Sequence, residues 1–129
     1  MSTTWPEVQK HMRDSYKLAD DTPDMISMIW TYEEGRQQKI LIRRYRAADR
    51  EMLEFKSAFA HRSDAEPEAL LRDNASLPIA TVALSGDVYL VVYNALLGNL
   101  AMPDLNFLLS RIAAVADRLE EKHAGEDQF

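Results

Sequence analysis

A predicted strand near the end of the chain constrains the fold more than any other segment. The run from Val88 to Leu97 follows Ser85-Gly86-Asp87, a turn in which Gly86 can take the positive φ of a tight hairpin. Because side chains alternate across a strand, its two faces can be read separately. One face carries Val88, Leu90, Val92 and Leu96, and the other carries Tyr89, Val91, Tyr93 and Leu97. Both faces are therefore apolar.

This doubly apolar strand limits how the chain can bury its apolar surface. In a two-layer domain, helices cover one face of an antiparallel sheet and water meets the other. Either helices cover both faces of this strand, or another chain does. The sequence predicts only three helices, one of them short, so we favour a partner chain that covers part of the second face. Burial within the chain is the alternative.

A short helix is predicted before the hairpin. The segment from Ser63 to Glu68 combines a capping residue, early acids and a proline, which is typical of a helix start. The helix carries Leu70 and Leu71. We expect Asn74 to end it in the left-handed conformation, with Pro78 preventing its continuation.

A longer helix is predicted after the hairpin, starting near Pro103-Asp104. Its apolar positions recur at helical spacing and are Leu105, Leu108, Leu109, Ile112, Val115, Ala116 and Leu119. Residues 123–129 contain Gly125 and a polar run, so we expect them to form a frayed tail.

The first half of the chain predicts one helix and then three strands. Thr4 and Glu7 can form a capping box. An apolar stripe at spacings of three and four follows, made of Trp5, Val8, Met12, Tyr16 and Ala19. The acidic run from Asp20 to Asp24 is expected to end this helix. From Met25 to Phe59 the apolar period is about two, which predicts three antiparallel strands with turns at 33–36 and 47–50.

These elements predict a single α+β domain over residues 1–129, in the order α-β-β-β-α-β-β-α. Its antiparallel sheet packs against helices, and its core extends from about residue 5 to residue 122. No apolar stretch approaches the roughly 20 residues that span a bilayer. The absence of cysteine excludes disulfides and thiolate metal sites. We therefore expect a cytoplasmic protein without a membrane partner.

The charge of the chain is unevenly distributed. The formal net charge is -6, yet residues 36–50 hold six basic residues against one acid, a local charge of +5. Two interpretations remain open for this basic strand. In the first, its charges are solvated or paired with acids and discourage edge aggregation. In the second, they bind an anionic partner, with Trp30, Tyr32 and Tyr45 available for stacking.

Known catalytic and metal-binding patterns are missing from the sequence. His11, His61 and His123 are isolated from one another, which disfavours a metal site. The acids from Asp20 to Asp24 lack the glycine and distal glutamate of a calcium loop. There is no Gly-x-Ser-x-Gly nucleophile motif and no glycine-rich phosphate loop. We predict no catalytic residue, no metal ligand and no cofactor.

Two segments resemble a known family. Residues 70–78 and 82–90, which read LLRDNASLP and VALSGDVYL, are similar to the end of the second helix and the last hairpin of that family. Residues 104–121 resemble its closing helix. The family is the type III secretion chaperones of the Tir-chaperone class, with the related YbjN-like bacterial proteins. The basic strand from Lys39 to Arg46 departs from its pattern.

The resemblance covers about half of the chain, and the order of elements extends it to the rest. It implies a small, acidic, cytoplasmic and usually dimeric protein without a cofactor. Such a protein holds an extended segment of another protein on exposed apolar patches.

Our leading hypothesis is a non-enzymatic, dimeric, chaperone-like or regulatory domain that binds a protein client. The candidate binding residues are Leu70, Leu71, Val88, Leu90, Val92, Tyr89, Val91 and Tyr93. The alternative is an anion-binding module. Its candidate residues are Arg36, Lys39, Arg43, Arg44 and Arg46. Nucleic acid is a disfavoured partner because the overall charge is negative.

Overall fold

The computed structural model describes residues 2–124 and residue 129. Its helices are α1 (Trp5–Ser15), α2 (Pro67–Asn74) and α3 (Met102–His123). Its strands are β1 (Leu18–Asp21), β2 (Met25–Thr31), β3 (Gln37–Ala47), β4 (Arg50–His61), β5 (Thr81–Ser85) and β6 (Val88–Leu96). The predicted α+β order is confirmed, and one further strand, β1, precedes the predicted strands.

The strands form one antiparallel sheet in the order β1-β2-β3-β4-β6-β5. The predicted turns join neighbouring strands. Gly35 and Gly86 have φ of 91° and 59°, conformations that glycine adopts without steric cost. Ala48 and Asp49 form the turn between β3 and β4 with φ of 52° and 61°, so two non-glycine residues take the positive φ of a tight hairpin.

All three helices pack on the same face of the sheet, which we call the helix face. α3 lies across β3, β4 and β6. Asn106 of α3 accepts a hydrogen bond from Tyr16 at the end of α1, and Asp73 of α2 pairs with Lys122 of α3 at 2.8 Å. The core therefore lies between one sheet face and one helix layer.

The helix face is closely packed. Alternate strand residues that point to it are fully buried, including Ile26, Ile40, Ile42, Leu53, Phe55 and Val91. Every apolar position predicted for α3 is also buried. Burial of this apolar surface is the main stabilising contribution to the fold.

The first helix is shorter than predicted. The capping box of Thr4 and Glu7 is present, but α1 ends at Ser15 and Tyr16 is extended with φ of -137°. Ala19 is exposed and belongs to β1 instead of the helical stripe. The acidic run does not end the helix, because Asp20 and Asp21 pair with β2 as part of the sheet.

Two predictions for the helix ends are wrong. Asn74 is the last residue of α2, and Ala75 after it is right-handed, with φ of -62°. The Asn74 amide is instead bonded to the backbone of Val82, which holds α2 against β5. His123 is not frayed, because it closes α3 and its Nε2 lies 2.8 Å from Asp73. The predicted tail residues 125–128 lie outside the described residues.

Candidate functional site

The sheet face opposite the helices carries an apolar strip, which we call the outer face. The strip crosses four strands and consists of Ile29, Leu41, Ala58, Leu90 and Val92. Registers place Ala58 opposite Leu90, and Lys56 between Leu41 and Val92. Ile29 is 46% exposed, and the other four side chains are half-buried. Since the three described helices pack on the helix face, none of them covers this strip.

A groove of about 510 Å³ lies on the outer face. Its lining side chains are Ile29, Gln37, Lys39, Leu41, Lys56, Ser57, Ala58, Leu90 and Phe129. The floor is apolar, and Lys39 and Lys56 place charges beside it. Concave apolar surfaces with a few polar groups are typical of binding sites.

On the outer face, an ion pair between Lys39 and Asp20 connects β3 with β1 at one side of the groove. Lys39 Nζ lies 3.1 Å from Asp20 Oδ2. The Ser27 hydroxyl donates a 2.5 Å hydrogen bond to the same carboxylate. The Ser27 hydrogen bond, followed by that of Lys39, lowers the pKa of Asp20 below its ordinary value. This side chain therefore stays charged at neutral pH.

Two cations share a second carboxylate beside the groove. Arg43 Nε and Lys56 Nζ lie 3.1 and 3.4 Å from the same Glu54 oxygen, Oε1. The Arg43 guanidinium also lies over the Tyr45 ring, 4.5 Å from its centroid. Such partly exposed pairs contribute between about 0 and 1 kcal/mol each, so they can be exchanged for other partners.

Each predicted anion-binding residue is placed beside a carboxylate. Lys39 and Arg43 lie on the outer face with Asp20 and Glu54, as described above. Arg44 Nη2 lies 3.4 Å from Asp24, and Arg46 Nη1 lies 3.1 Å from Glu51. The predicted charges therefore do not converge on one surface, because successive strand residues point to opposite faces.

Arg36, the fifth anion-binding candidate, lies on the helix side of the sheet. Its Nε is 2.8 Å from Asp117 and its Nη2 is 3.3 Å from Glu120, both on α3. The Glu120 side chain is 0% exposed. A fully buried carboxylate requires compensation, which the guanidinium supplies. Arg36 thus joins the turn between β2 and β3 to α3.

The predicted protein-binding residues divide between surface and core. Val88, Leu90 and Val92 point to the outer face and are half-buried. Leu70, Tyr89 and Val91 are buried in the core, which removes them from any accessible surface. Tyr93 is partly buried and packs against Phe55, with 6.1 Å between the ring centroids. The two apolar faces of β6 are therefore real, and the helices cover one of them.

Leu71 belongs to a second apolar surface, which we call the α2–β5 patch. Leu71 is 68% exposed, and Leu84 on β5 is 46% exposed. They border a depression of about 230 Å³ that Val82 and Pro67 also line. This patch lies at the edge of the sheet, apart from the groove on the outer face.

The free edges of the sheet are both obstructed. At one edge, β1 is short, carries two acids and contains an irregularity in register between Leu18 and Asp20. At the other edge, the Asn74 amide bonds both the N–H and the C=O of Val82. Short, charged or covered edges discourage the addition of a further strand. These features disfavour the pairing of a partner's strand with either edge of the sheet.

Sequence reasoning missed several outer-face residues. Ile29, Leu41 and Ala58 alternate with core residues on their strands, so period-two alternation could have identified them. The role of Phe129 could not have been found this way. Its ring lies 5.0 Å from that of His61, and its backbone N–H donates a 2.9 Å hydrogen bond to Glu120.

The titratable groups do not assemble into a metal site in the part of the chain described. His11 contacts Asn106, His61 contacts Phe129 and His123 contacts Asp73. Within residues 2–124 and 129, no three His, Asp or Glu side chains are grouped so that they could hold a metal ion. None of the described helices is both long enough and apolar enough to cross a membrane.

Comparison with known proteins adds no family. A scan against protein-family models finds no match, and a search of curated proteins finds no significant relative.

Proposed function

We propose that this chain is a non-enzymatic, chaperone-like protein-binding domain. It holds an apolar segment of a client protein on the outer face and forms a homodimer through the α2–β5 patch. The observation that carries the proposal is the apolar strip across β2, β3, β4 and β6, which none of the described helices covers. The local resemblance to secretion chaperones and YbjN-like proteins agrees with it.

The strip supports client binding because its composition differs from that of a solvated face. An antiparallel sheet that faces water normally alternates apolar and polar side chains. Here Leu90 and Val92 occupy successive outer-face positions of β6, and both are apolar. Leu41 and Ala58 lie beside them on β3 and β4. Full burial of an aliphatic side chain contributes about 1.5–3 kcal/mol, so a segment that covers several half-exposed ones can bind with useful affinity.

The α2–β5 patch supports self-association by a separate surface. Leu71 and Leu84 are the exposed leucines on either side of its depression. A twofold axis beside this edge would place the same patch of two copies together, which is the commonest arrangement in homodimers. The dimer contact then leaves the outer face open to a client.

The anion-binding alternative has less support from the geometry. All five candidate cations lie beside carboxylates of this chain. An anion would have to displace these internal partners at several separate places.

Client binding is tested by removing apolar surface from the outer face while keeping β propensity. The double variant Ile29→Thr/Leu90→Thr should lose binding to a fluorescently labelled, extended apolar peptide, measured by anisotropy. Phe107→Gln is the matched control, because Phe107 is 54% exposed on α3 and lies away from the strip. Equal binding by both variants and the parent would refute the assignment of the outer face.

Dimer formation is tested independently by light scattering after gel filtration. Leu71→Glu should convert a dimer into a monomer, since it places two carboxylates at the proposed twofold contact. Ile29→Thr/Leu90→Thr should remain dimeric. A parent protein that is strictly monomeric at micromolar concentration would rule out the proposed dimer.

A further inference from the structure

The groove on the outer face combines an apolar floor with lysines at fixed positions. Leu41 is opposite Lys56 across the β3–β4 pair, and Lys39 is two residues from Leu41 on the same face of β3. Both lysines therefore start from backbone positions next to the apolar floor. Long lysine side chains place their methylene groups along apolar surface while the charge stays in water.

Among residues 2–124 and 129, the cations around this groove outnumber the carboxylates that pair with them. Lys39, Lys56 and Arg43 pair there with two carboxylates, those of Asp20 and Glu54. Arg43 and Lys56 share a single Glu54 oxygen. One further carboxylate, placed beside the apolar floor, would complete the pairing.

The chain itself shows which kind of side chain this surface accepts. Phe129 lies against the groove, and its aromatic ring contacts His61 at the end of β4. Its backbone is held by the hydrogen bond to Glu120, 2.9 Å long.

We propose that the groove recognises a client segment in which an aromatic or large aliphatic residue lies next to carboxylates. The apolar residue binds over Leu41, Ala58 and Leu90. One carboxylate pairs with Lys56, which shares Glu54 with Arg43, and a second lies near Lys39, which keeps its pair with Asp20. Phe129 occupies one end of the same surface and competes with the client. This inference rests on the proposed function and specifies the chemistry of its client.

The floor of the groove favours a protein segment over a nucleic acid. Single-stranded nucleic acids bind through stacking of bases on aromatic side chains within a basic groove. Here the floor consists of aliphatic side chains from Ile29, Leu41, Ala58 and Leu90. The overall charge of -6 opposes a polyanion as well.

The test uses the full chain and three labelled peptides with the same phenylalanine and neighbours. The first has two glutamates before the phenylalanine, the second two glutamines and the third two lysines. We expect the glutamate peptide to bind about tenfold more tightly than the lysine peptide, with the glutamine peptide between them, as two exposed ion pairs would provide. Higher salt should reduce the difference.

Two matched lysine variants test whether the difference in affinity among the peptides comes from Lys39 and Lys56. Lys39→Gln/Lys56→Gln should abolish the difference among the peptides, while Lys10→Gln/Lys17→Gln, which neutralises two exposed lysines elsewhere, should preserve it. Equal binding of the glutamate and glutamine peptides would overturn the inference but leave the proposed function standing. If none of the three peptides binds, client binding by the outer face fails as well.

A separate variant tests whether Phe129 competes with the peptide for the groove. Phe129→Ala should tighten binding of the glutamate peptide severalfold, because the intramolecular competitor is gone. Weaker binding by this variant would show that Phe129 is part of the binding surface, which would overturn the competition.

Discussion

The two faces of the sheet are built from the same strands and have opposite properties. On β3, Ile40 and Ile42 are fully buried under the helix layer, whereas Lys39 and Leu41, which alternate with them, form part of the open groove. On β6, Val91 is in the core, while its neighbours Leu90 and Val92 are only half-buried. One strand therefore contributes to both the buried core and the open face, through alternate residues.

The same contrast applies to the basic residues. Arg36 belongs to the helix side and joins a buried carboxylate, while Arg43 lies on the outer face beside a partly exposed one. The charge of Arg36 on the helix side joins α3 to the sheet. The charge of Arg43 on the outer face is partly exposed to solvent.

The largest expected effect compares apolar truncation on the two faces. Phe55→Ala should lower the free energy of unfolding by about 3–5 kcal/mol, because it leaves a cavity in the packed core. Leu41→Ala on the outer face should lower it by only about 1 kcal/mol, since water already meets this side chain. Urea denaturation followed by circular dichroism measures both values. Equal losses would contradict the division into a core face and an open face.

The second prediction compares the two kinds of arginine. Arg36→Met leaves the buried Glu120 carboxylate without its guanidinium partner and should cost about 2–4 kcal/mol. Arg43→Met removes a partly exposed pair and should cost no more than about 1 kcal/mol. Urea denaturation at neutral pH measures the loss of unfolding free energy in each variant. A smaller loss for Arg36→Met than for Arg43→Met would contradict the distinction between a buried and an exposed arginine pair.

The third prediction concerns acid sensitivity within the helix layer. Burial alone would raise the pKa of Asp73, but hydrogen bonds from Lys122 and His123 outweigh it and hold the pKa below its ordinary value of 3.8. Because the folded-state pKa is depressed, this stabilisation is complete above pH 3.8 and is lost as the pH falls through the folded-state value.

Asp73→Asn should therefore flatten the decline of unfolding free energy with falling pH in this acid range. Lys122→Met should flatten it partly, and the neutral control Ser76→Ala should keep the slope of the parent. Denaturation curves at closely spaced pH values provide the measurement. An unchanged slope in Asp73→Asn would show that this contact does not contribute to acid sensitivity.

The smallest effect is expected for the charge pair on the outer face. A double-mutant cycle with Arg43→Met and Glu54→Gln should give a coupling energy of about 0.2–1 kcal/mol, as exposed pairs do. The coupling should fall in high salt. A value above this range would mean that the outer face is more rigidly paired than its exposure indicates.

Much of the fold was accessible from sequence because local chemistry and global structure agree. The capping box at Thr4, the glycine turns at Gly35 and Gly86 and the helical stripe of α3 were all predicted. The predictions that fail are those where a side chain has a distant partner. Asn74 bonds Val82, and Asp20 bonds Ser27 and Lys39, so the cap and the helix-ending turn expected from local sequence do not form.

The candidate site was only partly predictable for the same reason. Alternation on the last strand identified Val88, Leu90 and Val92, but could not say which of its two apolar faces the helices cover. It also proposed Tyr89 and Val91, and the short helix added Leu70; all three are in the core. The basic strand was recognised as a charge cluster, while its carboxylate partners come from β1, β4, α3 and the segment before β2.

The sequence by itself determined the order of the elements, the turns and the presence of a strand with two apolar faces. These depend on periodicity and on residues close together in the chain. Only the tertiary structure decided that all three helices lie on one face, that the outer face contains the groove and that Phe129 lies against it. Those outcomes depend on the packing of segments far apart in sequence, because burial of one apolar face under the helices determines which face remains open.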